Sequence, residues 1–129
     1  MAGVLSVALG GALGALARWG VGLLLAERLT SGFPWPTLCI NVSGAFVLAL
    51  FLPLSVAGMG PPWLRLAFAT GFLGAYTTFS TFTWEAFNLV RTQNMVLGLL
   101  YAIISVVLGL VAAWFGYALA QAWLARGVG

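Results

Sequence analysis

Apolar residues run along this chain in blocks too long and too continuous to be one face of a soluble helix. Four blocks stand out, at about 4–26, 37–57, 63–90 and 96–124. A helix needs roughly 20 apolar residues to cross the hydrocarbon of a bilayer. The pattern therefore predicts an all-α integral membrane protein, a single four-helix transmembrane domain over residues 1–129. Turn-forming residues separate the blocks. Thr30-Ser31-Gly32-Phe33-Pro34-Trp35-Pro36, Gly58-Met59-Gly60-Pro61-Pro62 and Arg91-Thr92-Gln93-Asn94 are rich in Gly, Pro and Asn, which end helices and favour turns. Trp35, Trp63 and Trp123 fall near predicted membrane interfaces, where an amphipathic indole prefers to sit.

The third block departs from the pattern. Within it lies Thr77-Thr78-Phe79-Ser80-Thr81-Phe82-Thr83-Trp84, with five hydroxyl side chains and two phenylalanines at i, i+3 spacing. Polar groups at membrane depth are costly and tend to face a bundle interior or a solute path. Gly71 and Gly74 weaken the same helix, by about 1 kcal/mol each against alanine. One reading is that the hydroxyls bond to carbonyls one turn back and the helix merely bends. The other is that the helix breaks, which membranes tolerate only where the backbone is buried or lines a cavity. A break frees carbonyl and N–H groups, the parts from which discontinuous membrane helices build ion sites. Phe79 and Phe82 share one face. They are either packing residues or, because a ring edge is electropositive, weak anion ligands. A ligand without formal charge suits conduction, since a permeant ion must also be able to leave.

Polar residues elsewhere are few. In the second block, Asn41 is either interhelical adhesive or a source of two N–H donors for an anion stripped of water. Thr37 lies one turn earlier on the same face and extends a polar path toward the interface. In the fourth block, Tyr101 and Ser105 stand at i, i+4, so both hydroxyls can face one groove. In the first, Gly10, Gly14 and Ala17 form a small-residue face for close helix approach. Arg18 follows, either snorkelling beside Trp19 or facing a wet vestibule that attracts anions. Glu85 is either an interface carboxylate or a gate at one pore mouth.

Composition narrows the function classes. The 129 residues are 63% hydrophobic and 5% charged, with a mean hydropathy of +1.11; soluble domains carry roughly 25% charged residues. Histidine, aspartate and lysine are absent, the only acids are Glu27 and Glu85, and the only cysteine is Cys39. Hydrolytic and clustered-ligand metal chemistry lack their usual groups, so an enzyme is not expected. The net charge of +3 comes from arginines near predicted helix ends rather than from a basic cluster, which argues against nucleic-acid binding. The first block is too long for a signal peptide, lacks a basic start and contains Arg18. Four crossings put Arg65 and Arg126 on one side and Arg28 and Arg91 on the other, with Arg18 making it two against three. Orientation follows such asymmetry, and here it is weak. Either another cue sets orientation, or the chain inserts both ways and pairs antiparallel. Four helices are also few to enclose a path, which favours a homo-oligomer.

Taken together, three stretches resemble the Fluc (CrcB) fluoride channels. They are the glycine-rich run ending in Arg18-Trp19, the Thr37…Asn41-x-x-Gly44 stretch, and Gly71-Phe72-Leu73-Gly74-Ala75-Tyr76-Thr77-Thr78-Phe79-Ser80-Thr81-Phe82. The resemblance spans the chain in order and is most specific in the third helix. It implies an antiparallel, dual-topology homodimer in the cell inner (plasma) membrane, with a third helix broken mid-membrane. Two pores at the subunit interface would passively export fluoride. By the same resemblance, carbonyls of Gly74 and Thr77 from each chain hold a central structural sodium ion. Phe79 and Phe82 present ring edges to fluoride and Asn41 donates its amide. Ser80 and Thr81 form a polar track, with Tyr101 and Ser105 contributing from the fourth helix. Arg18 corresponds to a vestibule arginine and Glu85 to a pore-mouth glutamate. Two other readings compete. A small proton-coupled multidrug antiporter needs a carboxylate in the middle of its first helix, whereas Glu27 stands at the end. A purely structural membrane subunit would use the polar island only as adhesive.

Overall fold

The structure is a computed structural model that describes residues 1–29, 32–92 and 94–126. The expected turns at 30–36 and 91–94 fall partly outside the described residues. Helix α1 runs Ala2–Arg28 and α2 runs Trp35–Val56. Helix α3 is a contiguous series of a short α-turn, Pro62–Arg65, a π-helical stretch, Leu66–Leu73, and a last turn, Gly74–Tyr76. Helix α4 is Phe79–Thr92 and α5 is Met95–Arg126. No strand occurs among the described residues. Helices α1, α2 and α5 are each long and apolar enough to cross a membrane.

Over 63–90 the chain forms two helical pieces. Helical geometry stops at Tyr76, Thr77 is extended at φ −77° and ψ 157°, and α4 begins at Phe79. The last helical residue, Tyr76, is two beyond Gly74, so the glycines do not themselves mark the stop. They serve another purpose upstream. The wider π-helical winding is seen where the Gly74 N–H reaches back five residues to the Ala69 carbonyl. The start of α3 is set by proline at its first position, whose fixed φ suits a helix start, after Gly58 and Gly60 turn the chain at φ +91° and +104°.

Small residues let these helices meet backbone to backbone. A Cβ on Gly10 would run into the Ala67 carbonyl, and one on Gly14 into the Phe72 carbonyl. From the other side, a Cβ on Gly71 would stand 2.8 Å from the Val7 oxygen. The small face of α1 is thus the seat of α3, as small-xxx-small packing requires when no hydrophobic force separates helix from lipid. Gly116 plays the same part between α5 and α2, where a Cβ would strike the Phe46 carbonyl. Phe51, Phe68, Phe72 and Tyr76 form an aromatic column with centroid spacings of 4.7, 5.5 and 6.0 Å. Large apolar side chains such as Leu13, Leu24, Leu110 and Trp114 are exposed. Such a surface would be a liability in water and is ordinary against lipid. Trp35, Trp63 and Trp123 are exposed as well.

Candidate functional site

The interruption between α3 and α4 is a built feature with its own hydrogen bonds. Asn41, on α2, holds Thr78 at both backbone groups: the Thr78 N–H donates to Asn41 Oδ1 at 2.8 Å, and Asn41 Nδ2 donates to the Thr78 carbonyl at 3.0 Å. Thr77 is tied back to the previous helix, its hydroxyl donating to the Leu73 carbonyl at 2.9 Å and its N–H at 3.0 Å. Thr78 then caps α4. Its Oγ1 accepts the Thr81 N–H at 3.3 Å and donates to the Thr81 hydroxyl at 2.9 Å. A threonine three residues before such an N–H is an ordinary helix start.

A second polar node lies about two turns along α4, at Glu85. Both oxygens of Glu85 accept hydroxyls at 2.8 Å, Oε1 from Thr37 on α2 and Oε2 from Tyr101 on α5. Thr37 and Tyr101 are buried, and Phe33 meets the Tyr101 ring edge-on at 5.3 Å. The carboxylate therefore fastens three helices together.

Beside the Asn41–Thr78 node a groove of about 380 Å³ opens on the protein surface. Asn41, Gly74, Thr77, Thr78, Phe79, Phe82 and Ser105 line it, with Leu48, Leu73 and Val106 among its apolar neighbours. Ser105 Oγ is buried and has no hydrogen-bond partner among the described residues. Phe79 is 77% exposed, and its ring lies 5.8 Å from that of Phe82, tilted by 49°. A larger groove of about 560 Å³ between α1 and α3 offers little chemistry. The one hydroxyl in its lining, on Ser6, is bonded to the Ala2 carbonyl.

Residues 5–117 match the family described as CrcB-like protein, Camphor Resistance (CrcB). The chain belongs to the CrcB-like family. Its relatives include a protein of Acidobacterium capsulatum that is 50% identical over 112 residues, covering 85% of this chain and 89% of the relative. One from Solibacter usitatus is 44% identical over 118 residues, with 91% and 97% covered. One from Thermus thermophilus is 46% identical over 118 residues, with 92% and 94% covered. Each of the three is named fluoride-specific ion channel FluC. With three helices of spanning length, this CrcB-like protein is a multi-pass membrane protein.

Within the CrcB-like chain, the structure gathers Asn41, Phe79, Phe82, Ser105, Gly74 and Thr77 on one groove. Ser80 and Thr81 follow on the exposed first turn of α4. Ser105 lines the groove, and the Tyr101 hydroxyl donates to Glu85. Thr37 is likewise spent on Glu85. Arg18 lies on α1, half-buried and outside the groove lining. Thr78 is the residue that sequence reasoning passed over. Its signal was present in the spacing Thr78-x-x-Thr81, a cap followed by its N–H partner, though only the break gives that spacing meaning.

Proposed function

We propose that this chain is a fluoride-selective passive channel that exports cytoplasmic fluoride. The observation that carries the reading is the groove at the interrupted backbone, where an amide, an unpartnered hydroxyl and two phenyl rings converge without a formal charge. Fluoride is small and strongly hydrated, so a selective path must replace its water with close donors. Asn41 keeps one Nδ2 hydrogen beyond the bond to Thr78, Ser105 has its hydroxyl free, and Phe79 and Phe82 offer ring edges. Ser80 and Thr81 extend the polar track. Thr37, Tyr101 and Glu85 stand at one end of it, and Arg18 draws anions to a vestibule. The names of the relatives support the same reading.

In this proposal α3 and α4 are two halves of one crossing, broken mid-membrane, which gives four crossings in a single domain. Two chains of opposite orientation pair in the inner membrane and close each other's open grooves, so that the exposed Phe79 is covered. A sodium ion sits at the centre, held by the Gly74 and Thr77 carbonyls of both chains. The donor set suits it. The N–H groups that a continuous helix would give to those carbonyls are given elsewhere, to Asn41 and to Thr78, and Gly74 is exposed. When bound, the ion neutralises carbonyl partial charge and joins the two chains.

The antiporter reading lacks support: Glu27 is exposed in the last turn of α1, with no acid further inside that helix. The test is fluoride efflux from liposomes holding the purified protein, read by a fluoride electrode beside a chloride control. Rapid fluoride release with negligible chloride release is expected. No release from verified, folded dimers would defeat the channel.

A further inference from the structure

In an unbroken α-helix the Thr78 N–H would bond to the Gly74 carbonyl and the Thr81 N–H to the Thr77 carbonyl, each four residues back. Neither does so here. The Thr78 N–H is held by Asn41 Oδ1 at 2.8 Å, and the Thr81 N–H turns to Thr78 Oγ1 at 3.3 Å. Both diversions depend on Thr78 being held out of the helix, and Asn41 holds it at the carbonyl as well, at 3.0 Å. The bonds cross 37 positions of sequence, so the break is not a local property of α3 and α4.

We infer that Asn41 is a positioning residue that keeps the chain open between α3 and α4 and so presents the Gly74 carbonyl to a cation, a role that rests on the sodium reading above. The chemistry explains why an asparagine is there. In a bilayer no water satisfies an opened backbone, so the Thr78 N–H must be given an acceptor if it is to stay off the Gly74 carbonyl, while a donor to the Thr78 carbonyl steadies the opened segment. A side-chain amide supplies the two in one plane and still keeps a second N–H. Leucine supplies neither, and aspartate keeps the acceptor but, when ionised, no donor. With Asn41 replaced by an apolar side chain, the Thr78 N–H is best satisfied by returning to the Gly74 carbonyl, which removes that oxygen from the cation. One amide thereby serves both ions: its bonded atoms hold the cation site open and its remaining hydrogen faces the anion groove.

The experiment measures thermal unfolding of the purified protein in lipid nanodiscs, titrated with sodium chloride against N-methylglucamine chloride. Sodium should raise the Tm of the wild-type protein. In Asn41→Leu, verified as folded, the sodium concentration giving half of that rise should increase by about tenfold or more, the equivalent of about one hydrogen bond. Asn41→Asp retains the oxygen that holds the Thr78 N–H and should retain the sodium response. An unchanged response in Asn41→Leu, or its loss in Asn41→Asp, would overturn the role of Asn41 while leaving sodium in place. A wild-type protein with no sodium response would instead remove the sodium reading. Should Asn41→Leu not fold, the wild-type protein decides by NMR. Scalar coupling across the hydrogen bond from the Thr78 nitrogen to the Asn41 side-chain Cγ supports the role, and coupling to the Gly74 carbonyl carbon overturns it.

Discussion

Phe79 and Phe82 are one turn apart and chemically identical, yet their surroundings divide their duties. Phe82 is half-buried and packs on Tyr101 at a centroid distance of 5.4 Å, within the cluster that also contains Leu38 and Leu89. Phe79 is 77% exposed and touches little of its own chain besides Phe82. If both present ring edges to a passing anion, replacing either by isoleucine removes a contact on the order of 1 kcal/mol. Fluoride flux should then fall by roughly tenfold in each, because a conducting site tolerates little loss of affinity. Only Phe82→Ile should also lower the unfolding temperature of the protomer fold, since only Phe82 supports an aromatic partner there. Flux in liposomes and thermal unfolding of the two variants check this pair of outcomes. Wild-type flux in both would remove the rings from the path.

At the scale of elements, what sequence could reveal divides according to how local its cause is. The spans at 4–26, 37–57 and 96–124 were readable to within two residues at each end, because a bilayer demands a continuous apolar run and little else imitates one. The small face of Gly10 and Gly14 was readable for the same reason: only missing side chains allow backbones to touch. The π-helical winding of Leu66–Leu73 was not, since it is a choice of hydrogen-bond register that LAFATGFL does not encode in any residue type. Nor was the position of the break. The glycines and the threonine cluster mark a weak stretch without fixing where it opens, because the partners that hold the chain open come from Asn41, far away in sequence. Glu85 has two roles open to it in the sequence because its hydroxyl donors arrive from two other helices. The seat of α3 on α1 makes a prediction with a built-in control. Gly14→Ala places a Cβ against the Phe72 carbonyl, whereas Gly20→Ala meets nothing within 4 Å. The first should destabilise by about 1–3 kcal/mol through overpacking. The second should be neutral or stabilising by up to about 1 kcal/mol through helix propensity. Thermal unfolding in nanodiscs measures both, and equal effects would show that α1 and α3 are not in backbone contact.

For the whole molecule, the open groove and the exposed Phe79 imply a neighbour, and the arginines bear on what kind. Arg28 lies in the last turn of α1 and Arg126 in that of α5, with Arg65 at the start of α3 and Arg91 at the end of α4. With four crossings this places two arginines on one side and, counting Arg18, three on the other. Orientation is set by excess Lys and Arg in short connecting segments, and an excess of one gives the insertion machinery little to read. The chain should therefore insert in both orientations. To test this, Cys39 is replaced by serine and Ala125, near the end of α5, by cysteine. A membrane-impermeant maleimide is then applied to intact cells and to inverted vesicles. Roughly comparable fractions should be labelled from each face, as a near-balanced charge count implies. Leu29→Arg together with Thr92→Arg, on the side that already carries three, raises the excess to three and should then drive one orientation and abolish fluoride flux, because the antiparallel partner is lost. Co-expressing that variant with one biased oppositely should restore flux. Labelling of the introduced thiol from one face only, accompanied by normal fluoride flux, would rule out the antiparallel pair. The groove would then have to be closed by a neighbour of the same orientation.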